Sequence, residues 1–244
     1  MPLQTGFRRR RALLLLGGAL LPLSARADDP APAPAEPAAP APPPPAAAAA
    51  PPTRRSSAGG IDKSKSYYLF FEQGIDVASM KALRKELATL VEAGVTDITI
   101  VLSSAGGLLF PALNAYSFIR ALPATINTHA LGLVASAATV LFLAGQRRST
   151  DRNAHFLFHP SQSIVPGTVN EQQMHDQLAV MDDVEAAVAQ IYRERTKLTD
   201  ADIQRSRHDT VVFDADQARE LDIVQDVADL HIPGGQQGKI VFIE

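Results

Sequence analysis

Residues 30–52 consist of eleven prolines, eleven alanines and one glutamate, and this run limits what the chain can fold into more than any other feature. Proline has no backbone N–H to donate and alanine buries little apolar surface, so this segment cannot build a packed core. We expect an extended spacer with polyproline II character over residues 28–60, with an unconstrained tail as the alternative. The folded domain is then predicted over residues 61–244, and these 184 residues suit a single domain.

Residues 1–27 have the pattern of an export signal. Consecutive arginines at residues 8–11 precede an apolar stretch at 12–23, and Ala25-Arg26-Ala27 provides a small-x-small cleavage pattern. That stretch is too short for a stable membrane-spanning helix, which needs about 20 apolar residues. We predict a signal peptide and an exported protein, periplasmic or secreted, with an uncleaved N-terminal membrane anchor as the alternative. The arginines leave the twin-arginine export route open.

The composition excludes several classes of function. There is no cysteine, which excludes thiol catalysis, disulfides, cysteine-ligated zinc and a lipoprotein-type anchor. Removing residues 1–27 would change the net charge from −3 to −8 and leave no basic stripe of the kind that nucleic-acid binding needs. The histidines show no metal-ligand spacing. We therefore expect no nucleic-acid partner, no metal and no cofactor, and an exported protein would work without a supply of ATP.

Apolar strands alternate with amphipathic helices along the predicted domain. Strands are predicted at residues 67–71, 97–102, 125–134 and 155–158, and helical spacings of three and four separate the apolar residues between them. Asp76 is predicted to cap the first helix and Gly94 to end it. This order predicts an α/β fold with a mostly parallel sheet that is covered on both faces.

A long amphipathic helix is predicted after this alternation. Thr168 and Glu171 have the spacing of a capping box, and the apolar stripe over residues 170–197 indicates a helix of about 28 residues. A lone subunit would leave part of this stripe exposed, so we expect a homo-oligomer. Packing of Met174 and Met181 on the subunit's own sheet is the alternative. Two short helices and strands at 211–213 and 240–243 complete the domain.

Three short motifs fall where a predicted strand ends. Gly106-Gly107 follows one strand and opens a helix, and backbone amides at a helix N-terminus stabilise negative charge. Ser136 lies where the next strand passes into a helix, among small neighbours. His159 ends a further apolar run just before a proline. Each motif alone is common in structural turns, but α/β sheets place their sites at the carboxyl ends of strands.

These motifs resemble those of the proteolytic subunit of Clp proteases, in the ClpP/crotonase superfamily. That family has an S-P-G-G turn, a G-x-x-A-S-M-G nucleophile motif thirty residues after the first glycine, and an M-I-H-Q histidine motif. Here the turn reads S-A-G-G at 104–107, Ser136 follows Gly106 by thirty residues, and the histidine motif reads L-F-H-P at 157–160. The resemblance covers nearly all of residues 67–230. It implies a ClpP/crotonase-like α/β fold, with repeated ββα and βαβ units in a mostly parallel sheet and a long protruding handle helix.

The resemblance also implies a role for each matching residue. Ser136 would be the nucleophile of a serine peptidase and His159 its general base. The backbone amides of Gly107 and Ala137 would form the oxyanion hole, because they match the second turn glycine and the residue after the nucleophile.

The third triad residue is less clear from the sequence. The family has an aspartate about fifty residues after the histidine. Asp209 matches this aspartate if the strand at residues 211–212 carries a one-residue insertion, whereas an alignment without gaps places Thr210 there. In the second case a Ser-His dyad would act without a third residue.

Departures from the family pattern shape the predicted function. Ala105 replaces the turn proline and Ala137-Ala138 replaces Met-Gly, while the Ala/Pro segment takes the place of the loops that dock the family's ATPase. We therefore predict an exported, ATP-independent serine peptidase that acts on peptides or unfolded proteins, with no ATPase partner and with oligomerisation through the handle helix. A catalytically inactive oligomeric scaffold and a crotonase-type acyl-thioester enzyme are the alternatives.

Overall fold

The computed structural model describes residues 61–163, 165, 167–234 and 238–243. The predicted signal peptide at 1–27 and the predicted linker at 28–60 lie outside the described residues. In chain order the elements are β1 Ser66–Phe71, α1 Val77–Glu92, β2 Asp97–Ser104, α2 Leu109–Ala121, β3 Thr125–Ala135, α3 Ala137–Phe142, β4 Arg148–Thr150, β5 His155–Phe158, α4 Glu171–Arg195, α5 Asp200–Ser206, β6 Val211–Phe213, α6 Ala215–Glu220, β7 Asp226–Val227 and β8 Gly238–Phe242.

The strands form one mixed sheet in which nearly all neighbours are parallel. Its main path runs in the order β6-β5-β3-β2-β1-β8, and β4 pairs with β3 and with β7. Only the pair of β5 and β6 is antiparallel among the described strands. The α/β prediction with a mostly parallel sheet is therefore confirmed, and the carboxyl ends of β2, β3 and β5 meet at one edge.

The core lies between this sheet and the helices on its faces. Ile98, Ile100 and Leu102 of β2 are fully buried, and they belong to the same hydrophobic core as the buried leucines of α1. Burying an aliphatic side chain of this size stabilises the folded state by about 1.5–3 kcal/mol. The alternation of apolar residues in the sequence therefore corresponds to the buried faces of the elements.

Helix α1 begins and ends as the sequence predicts. The side chain of Asp76 accepts a hydrogen bond from the backbone N–H of Ser79, whose own side chain completes a capping box. At the other end Gly94 has a φ of +88°, and the N–H groups of Gly94 and Val95 donate to the carbonyls of Val91 and Leu90. This pair of hydrogen bonds is a Schellman motif, which explains the glycine.

The N-cap of helix α4 lies two residues later than predicted. The cap is Asn170, which exchanges hydrogen bonds with Gln173, so the prediction of a capping box between Thr168 and Glu171 was wrong. Thr168 with Glu171 and Asn170 with Gln173 both have the three-residue spacing and the side chains that a capping box requires, so the sequence does not distinguish them.

The two halves of α4 differ in burial. Met174 and Leu178 in the first half are 42% and 51% exposed, whereas Val184 and Ile191 in the second half are 8% and 7% exposed. The N-terminal half of α4 thus projects from the body of the subunit. No helix among the described residues combines the length and the hydropathy that a membrane span requires.

Candidate active site

Ser136 and His159 lie at the ends of neighbouring parallel strands. Strand β3 pairs with β5 through Ala135 and Leu157, and the N–H of Ser136 donates to the carbonyl of Leu157 at 2.9 Å. Each residue follows its strand directly, so both side chains reach the same edge of the sheet. The structure brings these two predicted site residues together in the wall of one pocket.

The backbone of Ser136 is strained. It has φ 55° and ψ −129°, a conformation that non-glycine residues rarely adopt. Strain of this kind is kept where the surroundings enforce it, and a sharp strand-to-helix turn exposes the hydroxyl of a nucleophilic serine. Ser136 is half-buried, while Ala137 and Ala138 behind it are fully buried in the first turn of α3. Small residues are needed there because the helix packs directly on the sheet.

The Gly106-Gly107 turn packs against the Ser136 turn. A Cβ on Gly106 would lie 2.7 Å from the Cβ of Ser136 and 2.9 Å from the backbone nitrogen of Ala137. A Cβ on Gly107 would overlap the carbonyl of Ile75, and both glycines have positive φ, +91° and +146°. Only glycine fits these two positions.

The two amides of the predicted oxyanion hole are free to bind a ligand. Among the residues that the structure describes, neither Gly107 nor Ala137 donates its backbone N–H to a protein acceptor. The prediction that α2 begins at Gly106-Gly107 was wrong by two residues, since the helix begins at Leu109. The Gly107 amide therefore belongs to a turn between strand and helix.

His159 has a defined tautomer. Its Nδ1 lies 2.8 Å from the carbonyl oxygen of Pro160. A carbonyl can only accept a hydrogen bond, so Nδ1 carries the hydrogen and Nε2 of the neutral ring is left with a lone pair. This is the tautomer that can take a proton from a serine hydroxyl.

Asp209 and Thr210 are not brought to His159. Both side chains are exposed in the connection between α5 and β6, and no hydrogen bond of the described residues joins Asp209 to His159. The backbone N–H of Asp209 donates to the carbonyl of Arg205 at 2.8 Å, just past the C-terminal end of α5. The role of Asp209 stays a prediction.

Helices α4 and α5 close the pocket with residues that the sequence analysis missed. The pocket is lined by Ser136, His159, Leu109, Phe158, Ser161, Glu185, Val188, Ala189, Tyr192, Ile203, Ser206 and Arg207. Arg207 donates from Nε to Glu185 at 2.5 Å and from Nη2 to Asp182 at 3.3 Å, which fixes α5 to α4. Helical spacing in the sequence places Val188 on the apolar face of α4. No local pattern indicates that Arg207 pairs with Glu185 and Asp182, which lie 22 and 25 residues earlier in the chain.

The described residues offer no metal site. No group of three or more histidine, aspartate or glutamate side chains within this part of the chain is arranged to hold a metal ion. The chemistry that the arrangement supports is acyl transfer, in which a hydroxyl, an imidazole and two free amides act on one carbonyl.

Comparison with known proteins decides the family. The Clp protease family model matches residues 63–231, which is more than half of the chain. The chain belongs to the Clp protease family. It is similar to ATP-dependent Clp protease proteolytic subunit 1 of Mycolicibacterium paratuberculosis, with 30% identity over 191 residues, covering 70% of this chain and 86% of that protein. Subunit 1 of Rhodococcus jostii is 28% identical over 182 residues, which are 70% of this chain and 82% of that protein.

The fold comparison agrees with the family. A ClpP1 mutant from Listeria monocytogenes aligns with a TM-score of 0.60 and 17% identity, covering 67% of this chain and 91% of that chain. This likeness shows the fold. The predicted resemblance to Clp proteases is confirmed, and membership of the Clp protease family supports a serine peptidase at the level of the family.

Proposed function

We propose that this chain is an exported, ATP-independent serine peptidase that cleaves peptides or unfolded protein segments. The observation that carries the proposal is one pocket of a Clp protease family member that contains both Ser136 and His159. The free amides of Gly107 and Ala137 beside the Ser136 turn would stabilise the negative charge of the oxyanion.

The proposed reaction is acyl transfer through Ser136. Nε2 of His159 takes the hydroxyl proton while Oγ of Ser136 forms a bond to the peptide carbonyl carbon. The amides of Gly107 and Ala137 bind the resulting oxyanion, and His159 returns the proton to the amine as the C–N bond breaks. Water then attacks the acyl-enzyme in the same way and releases the acid.

Two acceptors are candidates for orienting His159. The carbonyl of Pro160 holds Nδ1 at 2.8 Å in this structure, which supports a Ser136–His159 dyad. Asp209 is the acceptor that the family resemblance names, and it would have to replace this carbonyl to complete a triad. Either acceptor fixes the same tautomer, so the roles of Ser136 and His159 do not depend on the choice.

Covalent labelling tests the nucleophile. The purified chain is treated with a fluorophosphonate–rhodamine probe, and we expect labelling that maps to Ser136 by peptide mass spectrometry. Ser136→Ala should lose the label. Ser149→Ala is the matched control, because the Oγ of Ser149 lies 2.8 Å from Nδ1 of His129, whereas Ser149 does not line the pocket of Ser136. Label retained in Ser136→Ala would contradict the assignment, and an unlabelled folded wild type would favour a scaffold.

Peptide cleavage without nucleotide tests the independence from ATP. Cleavage of a library of internally quenched peptides by the isolated chain should be unchanged by added ATP. The predicted export signal supports this expectation, because an exported protein would work without a supply of ATP. A requirement for a separate ATPase would contradict it.

Export is proposed from the sequence of residues 1–27. Cell fractionation and N-terminal sequencing should find a mature chain beginning at Asp28 outside the cytoplasm. A chain that keeps residues 1–27 in the membrane fraction would support the anchor instead.

A homo-oligomer formed through α4 is part of the proposal. Met174, Leu178 and Val180 expose 42%, 51% and 45% of their surface on the projecting half of this helix, which supports a partner surface. Light scattering should give a mass several times 26.1 kDa, and a Met174→Glu, Leu178→Glu double variant should lower it. Gln172→Glu, on the same helix at an exposed polar position, is the matched control. A monomeric wild type would refute an oligomer.

A further inference from the structure

Ser104 lies at the end of β2, and its hydroxyl both donates and accepts a hydrogen bond. It is 5% exposed, and Oγ donates to the carbonyl of Gln73 at 2.7 Å. The same oxygen accepts a hydrogen bond from the N–H of Gly106 at 3.2 Å. One hydroxyl therefore connects the segment after β1 to the first glycine of the turn beside Ser136.

Both peptide groups of Gly106 are fixed by these contacts and by Ile75. Its N–H is held by Ser104, and its carbonyl accepts from the N–H of Ile75 at 2.8 Å. The carbonyl and the N–H of one trans peptide point in opposite directions, so the N–H of Gly107 points away from Ile75. The orientation of the Gly107 amide thus follows from the hydrogen bonds around Gly106.

The last strand braces the same segment from the other side. The side-chain Nε2 of Gln73 donates to the carbonyl of Ile243 at 3.0 Å, and the N–H of Ile243 donates to Phe70 at 2.9 Å. Strand β8 pairs in parallel with β1 and lies beyond residues 63–231, which match the family model. A continuous path of hydrogen bonds leads from Ile243 through Gln73 and Ser104 to Gly106.

We propose that Ser104 is a positioning residue, which holds the Gly106-Gly107 turn so that the Gly107 amide is directed at the oxyanion, and that Gln73 connects this turn to β8. The inference rests on the proposed peptidase function, because it assigns Gly107 to the oxyanion hole. Ser104 does not touch substrate. It acts only through the orientation of Gly106, and its loss weakens a contact that forms in the transition state.

Steady-state hydrolysis of p-nitrophenyl butyrate by the full chain tests the inference, because this small ester needs the nucleophile and the oxyanion hole but no peptide groove. Ser104→Ala should lower kcat about tenfold to a hundredfold and change KM less than about twofold. Ser104→Thr keeps a hydroxyl and should recover kcat to within about threefold of wild type. Gln73→Met should lower kcat about twofold to fivefold, because Ser104 still holds Gly106.

Ser79→Ala is the matched control. Ser79 is 5% exposed, as Ser104 is. The Ser79→Ala variant removes a hydrogen bond from the cap of α1, so it reports on stability alone. A kcat of Ser104→Ala equal to that of wild type would overturn the inference and leave the peptidase assignment standing. A wild type without Ser136-dependent hydrolysis would overturn both. If Ser104→Ala is not recovered as a folded protein, an unchanged kcat in Gln73→Met overturns the inference.

Discussion

The phenol oxygen of Tyr192 lies 2.8 Å from the hydroxyl of Thr139, and this contact connects the long helix α4 to the turn that carries Ser136. Thr139 donates to the carbonyl of Ser136 at 2.7 Å, so Tyr192 donates to Thr139. Burial raises the pKa of Tyr192 to about 12, and the phenol stays protonated at any working pH. The strained backbone of Ser136 is thus supported from inside the subunit by a residue of the helix that projects from it.

Tyr192→Phe should cost about 1 kcal/mol in the free energy of unfolding, because one buried hydrogen bond is lost while the ring is kept. That ring packs edge-on against Phe158, with centroids 5.1 Å apart. Thr139→Val should cost more, about 1–3 kcal/mol, since it leaves the buried phenol without a partner. Urea unfolding of the two variants checks this order, and a larger loss in Tyr192→Phe would contradict it.

Gly106→Ala should destabilise the fold by about 2–4 kcal/mol, because its Cβ would meet the Ser136 turn in a strained backbone conformation. Gly132→Ala is the matched control. Gly132 also has positive φ, +64°, but a Cβ there would meet only Oγ of Ser103, at 3.7 Å. The control should lose only about 1 kcal/mol, the cost of the backbone conformation alone. Equal losses in thermal or urea unfolding would show that the close approach at Gly106 is unimportant.

The sheet and the position of Ser136 and His159 at one edge of it could be predicted from the sequence because they depend on local patterns, whereas the roles of the two residues rest on the resemblance to Clp proteases. Apolar runs identify the long strands, and parallel strands bring their carboxyl ends to one edge. Asp76 and Gly94 mark the ends of α1 by their own side-chain and backbone chemistry. Features that need only a few neighbouring residues were therefore predicted well.

The features that were missed depend on distant partners. Strand β4 is only three residues long. Its buried Arg148 donates hydrogen bonds to the backbone carbonyls of Asp222 and Ile223, which lie more than seventy residues later in the chain. Strand β7 has two residues and no apolar run. The cap at Asn170 instead of Thr168 is an exception, because both residues begin a capping-box spacing of three and the spacing does not choose between them.

The folded protein should lose stability as the pH falls below neutrality, in part through His129. This histidine is 4% exposed, and its ring nitrogens contact Ser149 and Asp151 at 2.8 and 3.0 Å. Burial lowers the pKa of His129 below its ordinary value of 6.5, an effect that the hydrogen bond to Asp151 and the charges of Asp151 and Asp229 oppose.

The sign follows from proton uptake by the two states. As the pH falls through 6.5 the unfolded chain binds a proton at His129 before the folded chain does, so stability decreases down to the folded pKa and is constant below it. His129→Gln should therefore lose less unfolding free energy than wild type between about pH 7.5 and about pH 5.5. Urea titrations at both pH values measure this difference. The same pH dependence in wild type and variant would exclude His129 as its source.

Asp209→Asn distinguishes the two candidate acceptors for His159. Because the Pro160 carbonyl already holds Nδ1 in this structure and Asp209 is exposed, we expect kcat on p-nitrophenyl butyrate to stay within about threefold of wild type. Thr210→Val is the control for the alternative alignment and should behave in the same way. His159→Ala should lose at least about a thousandfold, since Glu185, the carboxylate among the described residues of the pocket, is held in an ion pair by Arg207. A loss of that size in Asp209→Asn would instead establish a Ser136–His159–Asp209 triad, formed after the connection between α5 and β6 has moved toward the pocket.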